Sequence, residues 1–381
     1  MRRIVVKKPV RILHCLPGNM NQGGIENLIM NLYRNIDRNL IQFDFIVHSN
    51  EKNFYEDEIK KMGGKIYRVA NKTKEYKKYK EQMEEIFEKH KEYSIIHIHA
   101  TYSISILDAS IAKKYGLKTI IHAHSSNDIL KRKIFHYIMK KKLSDLADYK
   151  FACSLKAAEW LFTKKSLQES PPIVIKNAID CDKFIYNEKI RLEQREKLGL
   201  QNKFVIGVVC RLSYLKNTKF LIQIFEKIYE EDKDSILLIV GDGPEKKKLM
   251  KFSEKLNLSE AIKFLGNSDD VNEKLQAMDV FVMPSKCEGF GISLLEAQAA
   301  GLKCFTSENV VPQEIKIKNN KNELEFISLK SGSNYWAKRI LESKHRLNRS
   351  NIYEELKHEG YEIKESVKFL QKKYIEILGE K

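Results

Sequence analysis

Two carboxylates, Glu288 and Glu296, stand in the stretch "SKCEGFGISLLEAQAAG" (285–301) with Gly289 and Gly291 between them. Glycines let the backbone come close to a ligand, and an apolar helix starting near Ser293 would aim free N–H groups and its positive dipole end at that ligand. The ligand so favoured is an anion. Ser293 and Glu296 also match an S-x-x-E capping box, which by itself accounts for a carboxylate at 296. Glu288 has no such structural reason. It lies on the glycine loop, where an acceptor-only group can hold sugar hydroxyls beside phosphates bound by amides. The cations come from "GVVCRLSYLKN" (207–217), in which Arg211 and Lys216 follow an apolar run and precede a helix opened by Asn217. A guanidinium fork and an ammonium can together offset a diphosphate leaving group without a metal. An isolated Arg and Lys would ordinarily be a solvated surface pair; their place after a central strand points them to a crevice instead.

Histidines offer a second chemistry. "HIH" (97–99) and "HAH" (122–124) each put two imidazoles on one face of a strand end, as some metal hydrolases present ligands. No carboxylate follows at ligand spacing, and the basic and acidic groups of the other half would be left without a purpose, so no metal ligand set is assigned. Asp180-Cys181-Asp182 has the D-x-D form of metal-dependent transferases but belongs to the run "NAID". A third feature is "KRKIFHYIMKKK" (131–142). It sets Lys131, Arg132, Lys133, Lys140, Lys141 and Lys142 among Ile134, Phe135, Tyr137, Ile138 and Met139, a composition suited to lying on an anionic membrane. The alternative is a helix that buries its apolar side and solvates its lysines.

Positioning these groups takes two sheets. "VRILHCL", "FDFIVH", "KIYRV", "SIIHIH", "KTIIHAH" and "YKFACS" alternate with periodic helical segments, the rhythm of βαβ units. After "PPIVIKNAID" the rhythm restarts with "FVIGVVC", "SILLIVG", "AIKFLG" and "DVFVMPS", which predicts two doubly wound domains hinged near 176–190. The predicted N-terminal domain spans 1–180 and the C-terminal domain 181–360. A last helix, about 361–381, has apolar residues at Ile363, Val367, Leu370, Tyr374 and Ile377, and can pack across either. A length of 381 residues suits two such domains. No long apolar run is present, so a cytoplasmic protein is expected. Six cysteines without CxxC spacing indicate neither disulfides nor zinc knuckles. The net charge of +17 is uneven: 32 Lys and Arg face 19 Asp and Glu through residue 175, against 36 and 32 beyond it. The first half therefore suits an anionic partner. A non-catalytic polyanion-binding module is one reading of that charge, but no nucleic-acid motif or aromatic platform accompanies it.

The order "GGIEN", "IKNAID", "CRLSYLKN", "VGDGPE", "FLGN", "MPSKCEGFGISLLEAQAAG" resembles the retaining family-4 glycosyltransferases of GT-B fold, especially bacterial enzymes of capsule and exopolysaccharide assembly. The resemblance covers nearly the whole chain, and its most specific element is E-x7-E, matched by Glu288 and Glu296. It implies two Rossmann-like domains facing across a cleft, with the last helix crossing back to the first. It implies that Glu288 and the amides of Gly289, Phe290, Gly291 and Ile292 hold the donor sugar, and that Glu296 binds ribose hydroxyls. Arg211 and Lys216 would clamp the diphosphate, Gly23 and Gly24 would close over it, and Leu265 would lie beside the base. His124, or its neighbour His122, would face the sugar. Two positions depart from the pattern: Lys176 stands where a proline is usual, and Cys210 where a glycine is. The implied reaction is metal-independent hexosyl or N-acetylhexosaminyl transfer, with retention, from a nucleotide sugar, UDP-sugars foremost. No cofactor is expected. The implied acceptor is a saccharide on a polyprenyl diphosphate, reached from the inner membrane face.

Overall fold

The computed structural model describes residues 8–21, 23–49, 51–125, 130–288, 290–318, 324–346 and 349–380. The chain divides into two compact units, 1–178 with 363–381, and 179–362. The first carries β1 (Val10–Cys15), β2 (Ile41–Val47), β3 (Ile66–Arg68), β4 (Ile95–Ala100), β5 (Lys118–Ala123), β6 (Tyr149–Ala152) and β7 (Ile173–Val174). These form one parallel sheet in the order β3-β2-β1-β4-β5-β6-β7. β2 and β4 are buried along their whole length, as parallel strands covered on both faces must be. One face of β1, β4 and β5, with Leu13, Cys15, Ile96, Ile98 and Ile121, packs into a core with Tyr79 and Met83. The other face carries the histidines.

That second face is closed partly by the helix Ile363–Gly379. Its residues Ile363, Val367, Leu370, Tyr374 and Ile377 are all buried, one stripe at helical spacing. Lys118 Nζ, at the start of β5, donates to the carbonyl of Ile377 at 2.6 Å, so a cation satisfies one of the carbonyls a helix C-terminus leaves unpaired. The last helix is thus part of the first unit.

The second unit holds β8 (Phe204–Val209), β9 (Ser235–Val240), β10 (Ile262–Gly266), β11 (Val280–Met283), β12 (Lys303–Ser307) and β13 (Glu325–Ile327). They too are parallel, in the order β10-β9-β8-β11-β12-β13. β12 and β13 were not among the expected strands; "KCFTS" and "EFI" are short and partly polar. Each sheet reverses its strand order once, between β1 and β4 and between β8 and β11. In open α/β sheets such a switch point opens a crevice beyond the strand ends.

Candidate active site

Beyond the second switch point lie the two loops that follow β8 and β11, and they are tied together. The N–H of Lys286 donates to the carbonyl of Leu215 at 2.8 Å, and Asn217 Nδ2 donates to the carbonyl of Pro284 at 3.0 Å. Asn217 sits at φ +56°, a left-handed conformation that asparagine tolerates, and caps the helix Thr218–Glu231 without using its side chain for that purpose. Its role as a strut between loops was not legible in the sequence. Across the tie, Lys216 Nζ pairs with Glu288 Oε2. Arg211 is exposed, and its side chain has no hydrogen bond or ion pair among the described residues. A cation and an ion pair that a ligand can open thus lie on adjoining loops.

Gly291 caps the helix Ile292–Ala299 at φ +87°. A side chain there would be strained by the backbone, and its Cβ would stand 3.4 Å from Met283 Cε and Val311 Cγ1. The helix therefore begins at Ile292, and Ser293 lies inside its first turn. No side-chain cap bond forms, so the capping-box account of Glu296 is not realised. Glu296 is half-buried, has no side-chain partner among the described residues, and burial pushes its carboxyl up to about 8. Such a group seeks donors, and ribose hydroxyls would be donors. Phe290 turns its ring into the core near Tyr361, leaving only its backbone for a ligand. Gly289 lies outside the described residues.

The turn after β9 is as constrained. A Cβ on Gly241 would stand 2.0 Å from the carbonyl oxygen of Cys210, and one on Gly243 2.4 Å from that of Leu212, so only glycine permits this approach of the β8 and β9 loops. Leu265 is half-buried near the end of β10. Cys210, in the usual glycine place, rests its sulfur 3.8 Å from Thr218 Oγ1, and burial raises its thiol to about 11. It is an inert, neutral wall.

In the first unit, Gly23 caps the helix Gly24–Asn35 in extended conformation, and nothing lies within 4 Å of a Cβ built on Gly24. Beyond its own switch point the parallel register sets His14 of β1 opposite His97 of β4, and His99 opposite His122 of β5. With His124 they form a buried cluster of five imidazoles. His124 Nε2 meets His99 Nδ1 at 2.8 Å, and His99 Nε2 meets His14 Nδ1 at 3.0 Å. His122 Nδ1 meets His97 Nε2 at 3.1 Å, and His97 Nδ1 meets the Tyr374 hydroxyl at 2.6 Å. Burial holds His14 and His124 down at about 3, and His97, His99 and His122 well below the usual imidazole range. His122 has Nδ1 engaged and Nε2 buried, whereas Nδ1 of His124 lies outside the network. Ring nitrogens of His14, His97 and His99, and of His99, His122 and His124, come within 4.8 Å of one another, close enough to share an ion.

The helix Leu130–Leu146 presents Ile134, Tyr137 and Ile138 to solvent at 64%, 64% and 67% exposure, with Lys141 and Lys142 exposed beside them. Its described apolar residues on that side are therefore not buried. Lys140 is engaged instead, its Nζ donating to the carbonyl of Glu159. The side chains of Lys131, Arg132 and Lys133 lie outside the described residues.

Comparison with known proteins bears on the family and the fold. Residues 22–183 match the family "Glycosyltransferase Family 4", and residues 190–328 match "Glycosyl transferases group 1". EpsF of Bacillus subtilis (strain 168), a protein named as a glycosyltransferase, is 28% identical over 94% of each chain. The Escherichia coli UDP-Gal:alpha-D-GlcNAc-diphosphoundecaprenol alpha-1,3-galactosyltransferase is 30% identical over 61% of this chain and 62% of its own. Among solved structures, HepE of Anabaena, in complex with UDP and glucose, superposes with a TM-score of 0.70 at 17% identity, over 97% of this chain and 99% of its own. A glycosyltransferase of Rickettsia africae gives 0.77 at 19% identity, over 99% and 100%. Two doubly wound parallel-sheet domains define the GT-B fold, and the chain belongs to the family-4 glycosyltransferases.

Proposed function

We propose that this glycosyltransferase moves a hexosyl or N-acetylhexosaminyl unit from a UDP-sugar to a hydroxyl of a saccharide carried on a polyprenyl diphosphate, with retention and without a metal, in bacterial surface polysaccharide assembly. The observation that carries the reading is the pairing of Lys216 with Glu288 across the loops that follow β8 and β11, the first of which also carries Arg211, exposed and with no side-chain partner among the described residues. An incoming diphosphate competes with Glu288 for the Lys216 ammonium. Glu288 is then released to accept hydrogen bonds from sugar hydroxyls. As the C1–O bond to the β-phosphate breaks, Arg211, Lys216 and the N-terminus of the Ile292–Ala299 helix take up the charge on the departing oxygen. The acceptor oxygen bonds C1 on the same face, and its proton passes to that phosphate oxygen. The acceptor class is suggested by the diphosphoundecaprenol in the E. coli relative's name, and the donor by the UDP bound to HepE.

A panel of UDP-, GDP- and ADP-sugars, followed by thermal shift and slow hydrolysis, tests the donor. UDP-sugars are expected to stabilise the protein, and activity to survive EDTA, because side-chain cations replace the metal. Loss of activity restored only by added manganese or zinc would sink the metal-free clamp.

Peripheral docking is part of the same reading. Among the described residues no helix is long and apolar enough to cross a membrane. Exposed Ile134, Tyr137 and Ile138 beside Lys141 and Lys142 offer shallow insertion plus about 1 kcal/mol per lysine at an anionic surface. Cosedimentation with acidic-lipid vesicles is expected to weaken with salt. It should fall severalfold in Lys141→Ala/Lys142→Ala and again in Ile134→Ser/Ile138→Ser. Equal binding to neutral vesicles would remove the electrostatic part.

A further inference from the structure

Three of the imidazoles form a chain whose two ends differ. It runs from His124 Nε2 through His99 to His14, and ends at His14 Nε2, which is buried without a hydrogen-bond partner. Every ring in it is neutral near pH 7 and so carries a single N–H. The protons can be ordered in two ways. If they point from His124 toward His14, the chain ends in an N–H with no acceptor. If they point the other way, it ends in an unused lone pair. Buried N–H groups without a partner are rarer than unused lone pairs. Nor does an aromatic face take that proton: Phe43 and Phe45 lie at interplanar angles of 48° and 28° to His14, not edge-on. His14 Nδ1–H therefore donates to His99 Nε2, His99 Nδ1–H donates to His124 Nε2, and the proton of His124 is left on Nδ1, the other end of the chain, which unlike His14 Nε2 is not sealed off from water.

We infer that His14 and His99 are positioning residues that fix His124 as its Nδ1–H tautomer, so that His124 meets a bound substrate as a hydrogen-bond donor to an oxygen and not as a base. Its only lone pair is occupied by His99, so it has none with which to take the acceptor's proton. The tautomer follows from the chain alone; its use in catalysis rests on the glycosyl-transfer reading. The second chain, His122–His97–Tyr374, has no such fixed direction, because either order ends in a buried donor with no acceptor among the described residues, His122 Nε2–H one way and the Tyr374 hydroxyl the other.

Long-range 1H–15N correlation on 15N-histidine-labelled protein reads the tautomers directly, with His124→Gln and His99→Gln as assignment aids. His124 is expected to show a protonated Nδ1 and an unprotonated Nε2, on the order of tenfold or more over the alternative. In His99→Leu the preference should relax toward the mixture of a free imidazole, and His99→Gln, whose amide can donate, should restore it. A loss of packing alone would not be reversed by the amide. A protonated Nε2 on His124 in the unmutated protein overturns the inference, as does stoichiometric zinc uptake by the cluster. Saturating UDP-glucose is expected to move the His124 Nδ1 resonance. If the tautomer is as inferred but no UDP-sugar moves that signal or is turned over, the transfer reading falls and the tautomer stands.

Discussion

Glu288→Gln is expected to lower turnover by about 10²–10³-fold while UDP affinity, measured by calorimetry, stays the same or tightens. The asymmetry comes from the ion pair. In the free protein Glu288 neutralises Lys216, and a nucleotide must displace it. Removing the charge spares the nucleotide that competition, yet leaves the sugar one neutral amide oxygen in place of a charged carboxylate that accepts through both oxygens. Arg211→Ala has the opposite signature. It removes an exposed guanidinium with no partner among the described residues, costs the folded protein little, and is expected to weaken UDP binding about 10–100-fold, the worth of a charge-assisted bond or two to phosphate. Lys216→Ala should also weaken UDP binding, and by leaving Glu288 without its lysine it should add a repulsion toward the diphosphate. Near-normal turnover in Glu288→Gln would overturn the assignment of sugar and phosphate roles. So would UDP affinity lost in Glu288→Gln but kept in Arg211→Ala.

The two loops behind this prediction were legible because local signals carry them. An apolar run followed by Arg, Lys and Asn, and another followed by a Glu on a glycine loop, mark strand ends whatever the rest of the chain does. Ten strands were readable for the same reason; β7, only two residues long within "PPIVI", was not read as one. β12 and β13 escaped because burial of Thr306 and Ser307 comes from neighbours in the sheet and not from their own composition. The capping box misled because local matching does not know backbone dihedrals. Gly291 at φ +87° starts the helix one residue before the expected Ser293. Least legible was the fifth histidine. "HIH" and "HAH" announce themselves as pairs, but His14 joins them only through the β1–β4 register, and Tyr374 only through a helix more than 200 residues away. Long-range register carries no mark in a single sequence.

The same five histidines should make the first unit collapse in mild acid while the second persists. Each is neutral in the fold because burial lowers its pKa, to about 3 for His14 and His124 and well below normal for the others. In the unfolded chain each returns to about 6.5. Between these values the unfolded state binds more protons than the folded one, so stability rises with pH there. It is fully present above 6.5 and drains away as pH falls below it. The limit is about 1.4 kcal/mol per histidine per pH unit, so five together reach roughly 7 kcal/mol one unit below 6.5. That rivals the whole stability of an ordinary domain, about 5–15 kcal/mol. The second unit has only His345 and His358, both outside its core. Its two-tryptophan chain lets each unit be followed alone, since Trp160 belongs to the first and Trp336 to the second. In Trp336→Phe, Trp160 fluorescence is expected to report unfolding as pH drops through about 5.5–5. In Trp160→Phe, Trp336 should hold its signal there. Replacing His97 and His122 together by Gln removes two of the cluster's five protons and should flatten the pH dependence of urea midpoints by about a third, since burial also lowers His48 of the same unit, whatever it does to stability at pH 8. A slope unchanged by that pair, or a Trp336 transition that precedes the one at Trp160, would show that the cluster is not what titrates.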